Sequence, residues 1–251
     1  MTLSSFLLLV LAGIGAGLVG SIAGIASMIS YPALLATGLS PVTANVTNTV
    51  ALIFQGIASM HGSAPELRGA RQRQLVRRLA VWAVLGGIVG GILLLKTPSD
   101  AFAKIVPWLI GGSALAVLIR PRPPATDHPP ARESVPLQAG VFLIGIYGGY
   151  FGAAAGVLLL ALLLALTGET LTRSSAVRSA LLFGANGVAA LYFIVVGDVH
   201  WAAVLPLALG LMVGGRTGPV LLRYAPAGPM RILIAITGLG LALHLGIDAY
   251  R

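Results

Sequence analysis

A close succession of apolar runs is the feature that most limits how this chain can fold. Ten such runs lie near residues 3–22, 24–38, 44–60, 79–95, 105–119, 139–153, 155–167, 176–196, 201–213 and 231–247. A helix needs about 20 apolar residues to cross the hydrocarbon core of a bilayer, and several of these runs are shorter. The sequence therefore predicts an all-α polytopic membrane protein with about eight to ten hydrophobic segments, some of them broken or re-entrant helices.

The composition excludes several classes of function. Of the 251 residues, 57% are hydrophobic and only 9% are charged, which leaves no room for a soluble catalytic domain. The chain has no cysteine, so it has no disulfide and no thiolate metal site. We find no phosphate-binding loop, no serine–histidine constellation and no metal-ligand spacing. We therefore expect a protein that is not an enzyme and that holds no cofactor and no metal.

The basic residues are concentrated in a few connecting segments. The formal net charge is +9, and arginines cluster at 61–78, 120–136 and 214–231. In a membrane protein such an excess marks the cytoplasmic face, so we predict that these three segments are cytoplasmic loops. This explanation of the positive charge gives no reason to expect a nucleic-acid partner.

The two halves of the chain resemble each other. GLVGSIAGIASM at 17–28 matches GIYGGYFGAAAG at 145–156, and each is followed by a short apolar run and a polar cluster. Five segments separate the two copies, an odd number, so the copies enter the membrane from opposite faces. We predict a first membrane repeat at 1–119, a cytoplasmic proline-rich linker at 120–137, and a second, inverted repeat at 138–251, an arrangement common in secondary transporters.

The glycine-rich stretches allow two interpretations. Spacing such as that of Gly13, Gly17, Gly20 and Gly24 lets two helices approach closely in lipid, and packing alone would explain it. Alternatively, the glycines break a helix so that backbone N–H groups become free to face an anion. The recurrence of the stretch in both halves, with a polar cluster after each copy, favours the second interpretation.

The polar clusters supply the candidate ligands. Helical spacing places Asn45, Asn48 and Gln55 on one face, where they either bind substrate or join helices by hydrogen bonds. Arg178 lies in the equivalent cluster of the second half, as either an interfacial or a buried arginine. If it is buried, no carboxylate close in sequence neutralises it, and an anionic substrate is the missing partner.

These features define a predicted substrate site near the middle of the membrane. Its proposed members are Gly20, Ser21, Gly24, Asn45, Asn48, Thr49, Gln55, Gly148, Gly149, Gly152, Arg178, Ser179 and Asn186. The expected partners are a small anion and the lipid bilayer, and a homo-oligomer is left open. A membrane scaffold or assembly factor without transport activity, or an anion channel, would share many of the same features.

The repeated hairpin sequences, GLVGSIAGIASMISYPALLATGLSP with ANVTNTVALIFQG and GIYGGYFGAAAG with SSAVRSALLFGANG, resemble the TauE/SafE sulfite exporter family. This family is also called the toluene sulfonate uptake permease family. The resemblance implies a multi-pass transporter of the prokaryotic cytoplasmic membrane that carries sulfite, sulfonates or other small organic anions. Because the cell interior is negative, export of such an anion is downhill by about 2.3 kcal/mol per charge per 100 mV.

Overall fold

A computed structural model of the chain describes residues 2–118, 135–222 and 227–250. These ranges contain α-helices and no strands. The helices are α1 (Leu3–Ala23), α2 (Ser27–Ala36), α3 (Pro41–Gly62), α4 (Ala64–Leu67), α5 (Ala70–Lys96), α6 (Ser99–Leu118), α7 (Val135–Tyr150), α8 (Ala155–Thr167), α9 (Leu171–Val196), α10 (Trp201–Leu222) and α11 (Ala227–Tyr250). The predicted linker at 120–137 falls outside the described residues, apart from its last three, which already belong to α7.

Several helices extend beyond the apolar runs that predicted them. Helix α5 begins at Ala70 rather than near residue 79, and α10 continues to Leu222 rather than ending near residue 213. The described parts of the predicted loops at 61–78 and 214–231 are therefore largely helical. Arginine, glutamine and leucine all favour the helix, so the helix does not stop where the hydrocarbon layer ends.

The surface of the bundle fits a lipid environment. In the part of the chain that the structure describes, four helices are long and apolar enough to cross a membrane: Leu3–Ala23, Ala70–Lys96, Leu171–Val196 and Trp201–Leu221. Large apolar side chains such as those of Leu3, Leu11 and Val195 are exposed on these helices, which water would disfavour and lipid does not. The prediction of an all-α polytopic membrane protein is confirmed.

Pairs of glycines hold the two closest helix pairs together. Gly13 lies against Gly210 and Gly17 against Gly214, so α1 and α10 run parallel. A Cβ atom added to Gly17 would lie only 2.9 Å from the Cα atom of Gly214. Helices α5 and α7 form the same kind of contact through Gly86 with Gly145 and Gly90 with Gly149. For these glycines, packing is the correct interpretation.

The helix contacts match between the two halves. Helix α1 packs on α10, and α7 packs correspondingly on α5. Helix α3 also contacts α10, while α9 contacts α5, and α3 and α9 contact each other at the centre. The first helix of each half therefore packs on a late helix of the other half, which places α3 and α9 beside both hairpins.

The two ends of the bundle differ in charge. At one end, the C-terminal ends of α3 and α10 meet, since Gly62 faces Arg216. The start of α5 lies at the same end, where Arg71 contacts Glu169 in the loop between α8 and α9. Most described arginines lie there. At the other end, the Thr43 hydroxyl donates to Asp198 at 3.2 Å. Under the positive-inside rule, the arginine-rich end corresponds to the predicted cytoplasmic side.

Candidate anion-binding site

Two short helices follow breaks in the chain at equivalent places. Helix α1 ends at Gly24, whose φ is 78°, and α7 is followed by Gly152, whose φ is 70°. Glycine adopts this left-handed conformation without the strain that a side chain causes. Helices α2 and α8, with 10 and 13 residues, are too short to cross a bilayer alone. The glycine-rich stretches therefore interrupt helices, in addition to packing them.

Each break reverses the direction of the chain. The contacts run antiparallel: Gly20 faces Ala26 and Gly15 faces Ile29 in the first hairpin, while Gly148 faces Ala155 and Gly140 faces Leu162 in the second. We call α1 with α2 the first hairpin, α7 with α8 the second hairpin, and residues 24–26 and 151–156 their tips.

The two tips touch. A Cβ atom on Gly24 would lie 2.6 Å from the Cα atom of Gly156, so only glycine fits at this contact. Helices α3 and α9 pass beside the tips, and a cavity with a volume of about 60 Å³ opens between these elements. Because one water molecule needs roughly 10 to 15 Å³, the cavity has room for several waters or one compact anion.

Ten of the thirteen predicted site residues line this cavity. They are Gly20, Ser21, Gly24, Thr49, Gln55, Gly148, Gly152, Arg178, Ser179 and Asn186. The sequence analysis therefore grouped residues from the two halves that lie more than a hundred positions apart in the chain.

The other three predicted residues do not line the cavity. Asn45 donates through Nδ2 to the carbonyl oxygen of Tyr150 at 2.8 Å, and Asn48 donates to the Ser27 hydroxyl at 3.1 Å. Both asparagines bind parts of the hairpins, because the tips fill the space beside this turn of α3. Gly149 instead packs against α5, where it contacts Gly87 as well as the Gly90 described above.

Arg178 is the central charged group of the cavity. It is the eighth residue of α9, and only 1% of it is exposed, so it is buried rather than interfacial. Its Nη2 atom donates to the carbonyl oxygen of Ser21 at 2.5 Å. That carbonyl belongs to the last turn of α1, where the helix itself provides no partner. The Nη1 atom has no hydrogen-bond partner among the described residues.

Among the described residues, no carboxylate lines the cavity to balance this charge. The buried Glu169, in the loop between α8 and α9, pairs instead with Arg71 at 3.0 Å and Arg173 at 3.7 Å. Within the described ranges, no three acidic or histidine side chains are grouped to hold a metal ion. A buried guanidinium without a counter-charge is costly, and an anion in the cavity would remove that cost.

Neutral donors complete the cavity wall. Ser27, at the start of α2, accepts a hydrogen bond from Asn48, which leaves its own hydroxyl proton free to donate. The side-chain amides of Gln55 and Asn186 also line the wall. The hydroxyls of Thr49 and Ser179 donate to carbonyl oxygens one turn earlier in their own helices, so they face the cavity as acceptors.

The sequence analysis missed several residues of the wall. Ser59 lies four residues after Gln55, so the helical spacing that identified Gln55 identifies Ser59 as well. Its hydroxyl lies 2.7 Å from that of Ser21. The wall also includes four large apolar residues, Leu52, Phe151, Leu182 and Phe183. These four lie within apolar runs, where nothing in the sequence separates them from lipid-facing residues.

This fold and site define a polytopic helical membrane protein in which two glycine hairpins meet beside a buried, uncompensated arginine. A sequence profile described as "Sulfite exporter TauE/SafE" matches residues 9–245, and the chain belongs to this family. The family predicted from the hairpin sequences is thereby confirmed.

Relatives with similar sequences carry the names of transporters. The chain is 30% identical over 238 residues to the probable membrane transporter protein ORF9 of Sinorhizobium sp., covering 93% of this chain and 89% of the relative. It is 28% identical to the probable membrane transporter protein YfcA of Escherichia coli K12, covering 94% and 87%. No solved structure matches the chain. The family and relatives support the class of membrane transporter, which the sequence predicted.

Proposed function

We propose that the chain is a secondary transporter of the prokaryotic cytoplasmic membrane that exports a small sulfur-containing anion, such as sulfite or a sulfonate, through the cavity between the hairpin tips. The observation that carries the proposal is Arg178, which is buried beside the tips and, within the described part of the chain, has one unpaired nitrogen and no carboxylate facing it in the cavity. The family to which the chain belongs supports the same class of substrate.

The bound anion replaces the water around Arg178. The free Nη1 atom donates to one oxygen of the anion, and the charge of the donor makes this hydrogen bond stronger than a neutral one. The amides of Gln55 and Asn186 and the hydroxyl of Ser27 donate to its other oxygens. Ser21 contributes its carbonyl, which keeps the guanidinium in place from the opposite side.

Movement of the anion requires that the cavity open to each side in turn. We propose that the two halves form inverted repeats and that the hairpins exchange their exposure to the two sides. The matching contacts of α1 with α10 and of α7 with α5 support this arrangement, because equivalent helices make equivalent contacts in both halves. The contact between Gly24 and Gly156 has no side chain on either tip, which supports the proposal that one tip slides over the other.

The direction of transport follows from charge. We place the arginine-rich end of the bundle in the cytoplasm, so the membrane potential drives an anion from that end outward. No carboxylate relay is required for this direction, and none of the described carboxylates lines the cavity.

The test is efflux of sulfite from proteoliposomes that contain the purified chain, with the membrane potential set by a potassium gradient. We expect efflux that saturates with concentration, increases with an outward-driving potential and is absent from protein-free vesicles. Flux that does not saturate would indicate a channel. The absence of flux for sulfite and for a panel of sulfonates and carboxylates would overturn the proposal in favour of a membrane scaffold.

A further inference from the structure

The first turns of α5 lie beyond the apolar part of that helix. Helix α5 has 27 residues, so it is about 40 Å long, whereas the hydrocarbon core of a bilayer is about 30 Å thick. Its large exposed apolar side chains lie between Val81 and Leu93, and the helix ends at Lys96. The start of α5, which carries Arg73 and Arg77, therefore lies at the level of the lipid head groups.

Arg73 and Arg77 lie on the membrane-facing side of α5. Residues 73, 77, 81 and 85 follow each other at intervals of four, so they form one ridge along the helix. Both arginines are exposed, and further along the ridge Val81 and Leu85 are 56% and 44% exposed. Gln72, on the opposite face of the helix, is buried in the bundle. A single ridge therefore presents two cations at head-group level and apolar side chains at the level of the acyl chains.

The charges of these two arginines are not compensated within the described part of the chain. No hydrogen bond or ion pair joins the side chain of Arg73 or Arg77 to another residue there. The neighbouring Arg71, in contrast, pairs with Glu169 at 3.0 Å. Two guanidinium groups are therefore available for phosphate oxygens, with which arginine forms strong, charge-assisted hydrogen bonds.

An open groove lies along the same part of α5. The described residues that line it are Ala70, Arg73, Gln74, Arg77 and Arg78, and none of them is acidic. Trp82 is 37% exposed and lies one turn beyond Arg78, and tryptophan favours the boundary between head groups and acyl chains. The groove therefore suits a ligand with a negative charge at one end and an apolar chain at the other.

We propose that the start of α5 binds an anionic phospholipid, with its phosphate group between Arg73 and Arg77 and an acyl chain along Val81 and Leu85. A zwitterionic lipid binds less tightly, because it brings a positive amine or choline group close to the arginines. A soluble phosphate gains nothing from the apolar part of the ridge, which favours the lipid. Other helices line the cavity at the hairpin tips, so this inference does not rest on the proposed function.

Trp82 reports on this surface once the other two tryptophans are replaced. The chain contains three tryptophans, so Trp108→Phe with Trp201→Phe leaves Trp82 alone. The purified full-length variant is reconstituted with increasing fractions of phosphatidylglycerol or phosphatidylcholine brominated in the acyl chains, which quench a tryptophan that they contact. We expect phosphatidylglycerol to bind at Trp82 at least tenfold more tightly, since each arginine near an anionic lipid contributes about fivefold.

Three further variants test the residues and the place. Arg73→Gln with Arg77→Gln should remove the preference at Trp82, whereas Arg73→Lys with Arg77→Lys keeps the charge and should retain most of it. Arg173→Gln removes an arginine that lies 3.7 Å from Glu169, and it should leave the preference unchanged. A chain with Trp201 as its one tryptophan, 53% exposed at the opposite end of the bundle, should show no preference.

Equal binding of the two lipids at Trp82 would overturn the proposal. A preference that survives the double change to glutamine would overturn the assignment to Arg73 and Arg77. An equal preference at Trp201 would indicate a general attraction for anionic lipid and no specific site. Displacement of brominated phosphatidylglycerol by inorganic phosphate would indicate a site for a soluble anion and would also overturn the proposal.

Discussion

Helices α3 and α9 hold equivalent places in the two halves, yet their polar residues differ in charge. Asn45 on α3 donates to the carbonyl of Tyr150 at the end of α7. Arg178 on α9 donates to the carbonyl of Ser21 near the end of α1. In both cases a side chain of one half satisfies a carbonyl that the helix end of the other half leaves without a partner.

The asparagines of α3 stabilise the hairpins, whereas Arg178 of α9 can also bind a ligand. Asn45 and Asn48 use their amide nitrogens on the hairpins and stay outside the cavity wall. Arg178 uses one nitrogen on the first hairpin and keeps another unpaired in the cavity. A guanidinium has five N–H donors, so it can bind the hairpin and still offer donors to a ligand, whereas an amide has only two. We therefore expect Asn45 and Asn48 on α3 to stabilise the hairpins, and Arg178 on α9 to contribute most to anion affinity.

The largest effect should come from Arg178→Gln, which removes the charge that α9 presents to the cavity. Loss of a buried charge that pairs with the anion should cost about 3 to 5 kcal/mol, which is at least about a hundredfold in affinity. The measurement is the concentration dependence of anion efflux from proteoliposomes with equal protein content. Arg173→Gln, whose arginine side chain is 56% exposed, is the matched control, and an equal loss in both variants would contradict the assignment.

A second effect should appear where the two hairpins touch. Gly24→Ala combines left-handed strain of about 1 to 2 kcal/mol with a clash against Gly156 that adds about 1 to 3 kcal/mol. Gly38→Ala carries the strain alone, since its φ is 89° and nothing lies within 4 Å. Gly156→Ala carries the clash alone.

Thermal unfolding in detergent should therefore rank Gly24→Ala as the least stable of these three variants. If Gly24→Ala unfolded at the same temperature as Gly38→Ala, the tips would not be in contact, and the cavity as described would be wrong.

A smaller effect is expected for Asn45→Ala. The variant leaves the Tyr150 carbonyl without its partner and should lose about 1 to 3 kcal/mol of stability. Because Asn45 lies outside the cavity wall, the KM for the anion should change by less than about threefold, which is well below a tenfold change in affinity. A KM change as large as that of Arg178→Gln would mean that Asn45 contributes to anion binding as much as Arg178 does.

The smallest effect should be at the outer base of the first hairpin. The Thr43 hydroxyl donates to Asp198 in an exposed setting, so Thr43→Val should change the unfolding free energy by less than about 0.5 kcal/mol. Glu169 lies in the loop that follows α8, in the second hairpin, but its side chain is 3% exposed and paired with Arg71. Glu169→Gln should destabilise the protein more than Thr43→Val, and the reverse order would mean that burial does not control these contacts.

Much of the fold could be predicted because apolar runs and glycine breaks act locally. The break at Gly24 is predicted by the glycine-rich stretch that contains it. A buried position for Arg178 was one of the two alternatives that the sequence allowed. The choice between them depends on Ser21, which lies 157 residues away and carries no signal of the contact.

The remaining site assignments depend on packing that sequence spacing does not reveal. Asn48 shares a helical face with Gln55, but only Gln55 reaches the cavity, because the tip of the first hairpin lies beside Asn48. Gly148 and Gly149 are neighbours in sequence, yet one lines the cavity and the other packs against Gly87. A turn of about 100° between successive helix residues is enough to separate their roles.

The most direct test of the Arg178 site uses the absence of cysteine from the native chain. Ser179→Cys places a thiol in the cavity wall, and Ser99→Cys places one on the exposed start of α6. Both are labelled with a cationic methanethiosulfonate reagent, with and without methanesulfonate, in variants that retain efflux. We expect the anion to slow labelling at position 179 but not at 99, and we expect Arg178→Gln to remove this protection. Equal labelling rates at position 179 with and without an anion concentration that saturates efflux would contradict it.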